Sequence, residues 1–240
     1  MIALTDVSMM GITFVIADLH GRLDLLEAAL AAVAERAPQG ATVVFTGDYV
    51  DRGPHSRQIV ARLMAGPPAG WTWICLKGNH EDMMVGALTG TAAGQRWLDN
   101  GGRETLHSYS AEGGGEPAGS VPPDHVAWLA TLAAMHRDRY RIYVHAGVDT
   151  TLPIEAQDPQ TLIWMRYAPG VEDGHGDFHV IHGHTPHKDG PRHYRGRTNL
   201  DTMAWRTGRL VVAVFDDDKP GGPEELIEII APGGKVRPGP

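Results

Sequence analysis

The chain has 240 residues, of which 42% are hydrophobic and 21% charged. That is enough apolar side chain to bury a core without cross-links. One cysteine, Cys75, excludes a disulfide scaffold, and a formal net charge of −8 argues against a nonspecific nucleic-acid partner. The apolar run at 28–34 is closed off by Glu27 and Glu35, far short of the about 20 residues that span a bilayer. No Lys or Arg precedes Arg22, so the basic start of a secretory signal is missing. A cytoplasmic protein with no membrane partner is expected.

In chain order, 12–17 (ITFVIA) is a β-branched, apolar run that closes on Asp18-Leu19-His20-Gly21. Residues 22–36 follow with Leu23, Leu26, Leu30 and Val33 at helical spacing, stopped by Pro38-Gln39-Gly40. Residues 41–46 (ATVVFT) read as a second strand ending in Gly47-Asp48, and 56–65 as a helix. Residues 71–76 (WTWICL) read as a third strand ending in Gly78-Asn79-His80-Glu81. This β-α-β-α-β order predicts an α/β fold with parallel strands and helices packed on them. Ligands in such sheets sit beyond the carboxyl ends of the strands.

Residues 111–123 (AEGGGEPAGSVPP) are rich in Gly and Pro and read as an internal loop. A helix is expected over 124–135. Strands are expected at 140–144, ending in His145-Ala146-Gly147, and at 178–181, ending in His182-Gly183-His184-Thr185-Pro186. Residues 209–215 and 225–230 complete the β pattern. One domain over 1–240 is expected, with flexible ends at about 1–10 and 231–240.

Five strand ends thus carry Asp18 and His20, Asp48, Asn79 and His80, His145, and His182 or His184. Oxygen and imidazole donors without thiolate suit divalent Mn, Fe or Zn. They are too many for one ordinary site. Asp48 is placed to bridge two ions, as two-metal hydrolases require. Each fragment alone has an ordinary reading: Asp-Leu-His as a turn, Asn79 as a helix cap. Five in series, each closing a strand, point instead to metal chemistry.

The series D-x-H-G, G-D-x-x-D-R-G, G-N-H-E, H-A-G, G-H-T-P resembles the phosphoprotein phosphatase (PPP) family of metallophosphoesterases. Here it is carried by Asp18 to Gly21, Gly47 to Gly53, Gly78 to Glu81, His145 to Gly147 and Gly183 to Pro186. The bacterial and phage lambda-type protein phosphatases are the nearest subgroup in pattern. Trp97-Leu98-Asp99-Asn100-Gly101-Gly102, Ile163-Trp164-Met165-Arg166 and Asn199-Leu200-Asp201-Thr202 add to the likeness. The resemblance implies a calcineurin-like metallophosphoesterase β-sandwich flanked by helices, with a dimetal site at strand ends. It gives the first metal Asp18, His20 and Asp48, and the second Asp48, Asn79, His145 and His184, with His184 preferred over His182. Two divalent ions, manganese foremost and iron or zinc as alternatives, would share a hydroxide that attacks phosphorus in line. Arg52 and Arg166, with Asn79, would bind the phosphoryl group. His80 would be the general acid and Asp51 its orienting partner. The residues leave other roles open for some of these: Arg52 as a surface ion pair, Arg166 as a helix end, Asp201 as a turn holder.

Two departures from the family pattern stand out. Met203 follows Asp201-Thr202 where relatives usually carry Gly, and Lys77 precedes Gly78 where Arg is common. The implied activity is a metal-dependent serine/threonine protein phosphatase acting on phosphorylated proteins or small phosphoesters. A symmetrical bis(5′-nucleosyl)-tetraphosphatase is the alternative. A catalytically dead scaffold would lack a ligand or His80, and neither is missing.

Overall fold

The computed structural model describes residues 11–92, 94–110 and 121–232. The ends expected to be flexible, 1–10 and nearly all of 231–240, and most of the Gly/Pro-rich loop lie outside the described residues.

Two five-stranded sheets form the frame. The first comprises β1 (Ile12–Ile16), β2 (Thr42–Phe45), β3 (Thr72–Cys75), β9 (Arg209–Asp216) and β10 (Glu225–Ile230), in the order β10-β9-β1-β2-β3. β1, β2 and β3 run parallel, and β9 and β10 antiparallel to their neighbours. The second comprises β4 (Met135–Arg137), β5 (Arg141–Val144), β6 (His179–His182), β7 (Arg192–His193) and β8 (Arg197–Asn199), in the order β4-β5-β6-β8-β7. Its central strands β5, β6 and β8 are parallel.

Period-two alternation explains the layering. Phe14 and Ile16 of β1 join Val43 and Phe45 of β2 in a core under α1 (Leu23–Arg36) and α2 (Ser56–Met64). Val15 and Val44 face the other way and meet Tyr143, Ile181, Leu200, Ala213 and Phe215 between the sheets. Ile142, Val144 and Val180 turn outward to Leu162 of α7 (Pro159–Trp164). The order is therefore helices, sheet, sheet, helix. Both sets of parallel strands end on the same edge, which brings Asp18, Asp48 and Asn79 to His145 and His184.

The expected elements are present with their ends within one residue, and one differs. α6 (Pro123–Thr131) stops short of 135 because Leu132 turns extended, with φ −60° and ψ 135°. Ala133 then bridges to Leu76, Lys77 N–H donates to its carbonyl, and Met135–Arg137 pairs with β5. This segment ties the two sheets together. β4, β7 and β8 are short and carry no alternation long enough to read from sequence.

Candidate dimetal centre

The backbone is unusual where the motifs are. Seven non-glycine residues among those described have positive φ: Asp18, His20, Asp48, Asp51, Arg52, His184 and Met203. Six of them are candidate site residues. The left-handed region costs a non-glycine residue about 1–2 kcal/mol, so the surrounding fold holds these turns in place. Two motif glycines answer to close approach: a Cβ on Gly78 would lie 2.2 Å from Asp48 Oδ1, and one on Gly183 would overlap Asp18 Oδ2. Glu81, fully buried in α3 (Asn79–Thr89), clamps the loop after β2. Its carboxylate accepts the backbone N–H groups of Gly78, Asp48 and Tyr49 at 2.8 Å each.

Two groups of buried side chains are placed to hold a metal ion: His20, Asp48 and His80, and Asp48, His145 and His184. Asp48 is common to both. Its Oδ2 lies 3.4 Å from His20 Nε2 and 3.4 Å from His145 Nε2. His20 Nδ1 lies 2.8 Å from the Val50 carbonyl and His145 Nδ1 3.0 Å from that of Thr46. Each ring thus donates outward and turns its Nε2 lone pair towards the site, the arrangement of a metal-ligating histidine. His145 Nε2, His184 Nδ1 and Asn79 Oδ1 lie 2.9–3.1 Å apart. An amide oxygen, which only accepts, and an imidazole nitrogen left without a proton have no donor between them, which is a site for a cation. Asp18 stands outside both groups. It accepts the His184 backbone N–H at 3.1 Å and 3.2 Å.

The electrostatics agree. Burial, then Asp201 and Asp48, push the Asp18 carboxyl well above its usual range. Burial chiefly raises Asp201 to about 6 and Glu81 to about 7. Burial lowers His20 and His145, and burial with His145 takes His184 down to about 3. Asp48 alone goes the other way: burial opposes its charge, but His145, His80 and His20 outweigh it. Neutral imidazoles among crowded carboxyls are what divalent cations stabilise.

On the far side of the His80 ring from the cluster, His80 Nδ1 and Asp51 Oδ2 are 2.6 Å apart. Asp51 is held by Trp97 Nε1, at 2.9 Å and 3.1 Å, and by the Thr105 hydroxyl, at 2.7 Å. Burial pulls the His80 pKa down, but Asp48 and then Asp51 overcome it and the net shift is upward. His80 Nε2 faces Arg52 Nη2 at 3.0 Å, and Arg52 Nη1 faces His20 Nε2 at 2.5 Å. An imidazole with a raised pKa and a guanidinium therefore lie against a candidate cation site.

A profile of calcineurin-like phosphoesterases matches residues 13–215. The chain belongs to the calcineurin-like phosphoesterase family. It is 26% identical over 178 residues to serine/threonine-protein phosphatase 1 of Salmonella typhimurium, covering 72% of this chain and 78% of that one. A crystal structure provisionally described as a diadenosine tetraphosphatase superposes with TM-score 0.68 at 23% identity, covering 95% of this chain and 96% of the other. The cold-active protein-tyrosine phosphatase of a psychrophilic Shewanella gives TM-score 0.63 at 16% identity, over 91% and 77% of the two chains. The two structural likenesses speak to the fold.

The remaining candidates of this phosphoesterase sort by geometry. His182 turns away from the metal groups, its Nε2 3.1 Å from Arg197 Nη1 and its Nδ1 3.0 Å from the Gly183 carbonyl. That leaves His184 at the centre. Arg166 is exposed and makes no hydrogen bond or ion pair among the described residues, yet its charge is felt by His184 and Asp201. Asp201 holds a turn, its Oδ1 accepting the Met203 N–H at 2.8 Å. Met203 adopts the left-handed conformation, φ 55°, that glycine takes without strain. Thr105 and Ser56, which fix Asp51 from α5 (Arg103–Ser110) and α2, lie in no motif and were not legible in the sequence. Among the described residues no helix is long and apolar enough to cross a membrane.

Proposed function

We propose that this phosphoesterase is a serine/threonine protein phosphatase that uses two divalent ions, manganese foremost. The observation that carries the reading is Asp48, shared by two buried groups, one with His20 and His80 and one with His145 and His184, with Arg52 against the first. Asp18, His20 and Asp48 would hold one ion, and Asp48, Asn79, His145 and His184 the other. Bound ions would supply Lewis-acid polarisation of the phosphoryl group and a nucleophilic water near neutral pH.

The chain's own residues do the rest. Arg52 and Arg166 bind phosphoryl oxygens, Arg52 with both terminal nitrogens aimed into the opening. Asn79, at the start of α3, would add its amide to that grip. His80 gives the proton at Nε2 to the leaving serine or threonine alkoxide. Asp51 accepts from Nδ1, which fixes the tautomer and supports the charged ring. A single 1–240 domain and a reducing, cytoplasmic compartment fit the one cysteine, Cys75, buried enough that its thiol is pushed up to about 12.

The test is product analysis with manganese-loaded enzyme on a phosphoseryl peptide and on diadenosine tetraphosphate, with His80→Asn alongside. Orthophosphate from the peptide is expected. The variant is expected to turn over about 10²–10⁴-fold more slowly while keeping its metal. ADP release with an inert peptide would make the chain a symmetrical dinucleoside tetraphosphatase.

A further inference from the structure

A cavity of about 530 Å³ opens beside the reacting centre, lined by Arg52, Arg103, Glu104 and Trp205 together with residues 98–101 of the turn over Leu98–Gly102. Arg52 belongs to both spaces. Its terminal nitrogens face His20 and His80, and its guanidinium lies 5.6 Å from the Trp205 ring centroid. A substrate whose phosphoryl group rests on Arg52 therefore puts its neighbouring part into this cavity. Trp205 is carried by α8 (Ala204–Thr207), which Arg22 anchors to the body of the protein through the Ala204 carbonyl at 2.9 Å. The opposite wall begins at Gly101, whose carbonyl accepts the Arg52 N–H at 3.2 Å.

The charges of that wall do not cancel. Arg103 and Asp99 pair with each other at 3.8 Å, and Asp99 also takes the Gln95 amide. Glu104 makes no hydrogen bond or ion pair among the described residues. Once Arg52 is occupied by phosphate, the Glu104 carboxylate remains, beside the Trp205 indole that already carries the Arg52 guanidinium 5.6 Å from its centroid. An indole face and a carboxylate together select a cation.

We infer that the cavity between Trp205 and Glu104 is a specificity subsite for a basic side chain flanking the phosphorylated residue of a protein substrate. The inference rests on the protein-phosphatase reading. It adds a preference which that reading does not contain: a lysine- or arginine-flanked phosphoserine over an acid-flanked one.

The experiment compares two phosphoseryl peptides, one flanked by lysines and one by glutamates, in the full-length manganese-loaded enzyme. The readout is the ratio of their kcat/KM values within each enzyme, so general losses of activity cancel. The parent is expected to favour the lysine peptide by about tenfold, as a cation–π contact and one exposed ion pair together give. Trp205→Ala is expected to bring the ratio to within about threefold of unity, and Glu104→Lys to bring it to unity or below. Equal hydrolysis of both peptides by the parent, or a ratio unmoved by both variants, overturns the subsite and leaves the phosphatase reading standing. Two inert peptides with diadenosine tetraphosphate cleaved overturn both: the cavity then takes a nucleoside.

Discussion

Met203 shows how a single backbone angle carries information. The family pattern has glycine there, and the structure supplies the reason: φ is 55° and Asp201 holds the turn through the Met203 N–H. Comparing Met203→Gly with Met203→Ala isolates the backbone, since neither keeps the side chain. The glycine variant is expected to be more stable by about 1 kcal/mol in urea unfolding; alanine equal to or above glycine would contradict the strain. His182 makes a second residue-scale case. Burial, then Arg197, holds its pKa at about 3. The ring is neutral when folded but protonated in the unfolded chain below about pH 6.5. Its contribution is therefore full above that pH and is lost as pH falls towards 3. His182→Gln keeps an acceptor for Arg197 and removes the titration. Between pH 7 and 5 the metal-free variant is expected to lose about 2 kcal/mol less stability than the parent. Equal losses would show that His182 does not titrate this way. The sequence offers both His182 and His184 at one strand end, the resemblance prefers His184, and the folded chain gives the two rings different partners.

At the scale of elements, the strand ends that carry the candidate ligands were legible because each apolar run stops on Asp, Asn or His with Gly. The turn over Leu98–Gly102 was legible only as a resemblance. In the folded chain this turn seats Arg52. Gly101, φ 109°, packs its Cα against that residue, where a Cβ would lie 2.6 Å from the Arg52 nitrogen. Gly102 packs likewise on Trp97, which holds Asp51. Gly101→Ala is expected to displace Arg52 and lower kcat/KM by about 10–100-fold with both metal equivalents retained. Unchanged kcat/KM would remove this turn from the positioning of Arg52. The short strands β4, β7 and β8 escaped the sequence because two or three residues hold no period. Their pairing partners, not their composition, make them strands.

For the whole molecule, the site is built from two halves that meet only on folding. The first sheet brings Asp18, His20, Asp48 and Asn79, and the second brings His145 and His184. The inter-sheet layer of Val15, Val44, Tyr143, Ile181 and Phe215 joins them. The order of motifs announces a metal-dependent hydrolase and the resemblance shares its side chains between two ions, but the distances between them depend on how one sheet stacks on the other. Asp48 is where the halves meet, 3.4 Å from a histidine of each. The most direct test is therefore elemental analysis of the purified parent and of Asp48→Asn after equilibration with manganese. The parent is expected to hold two equivalents per chain, and the variant to lose metal at both positions while remaining folded by circular dichroism. Two full equivalents in the variant would contradict the bridge, and fewer than two in the parent would contradict the dimetal account of this phosphoesterase.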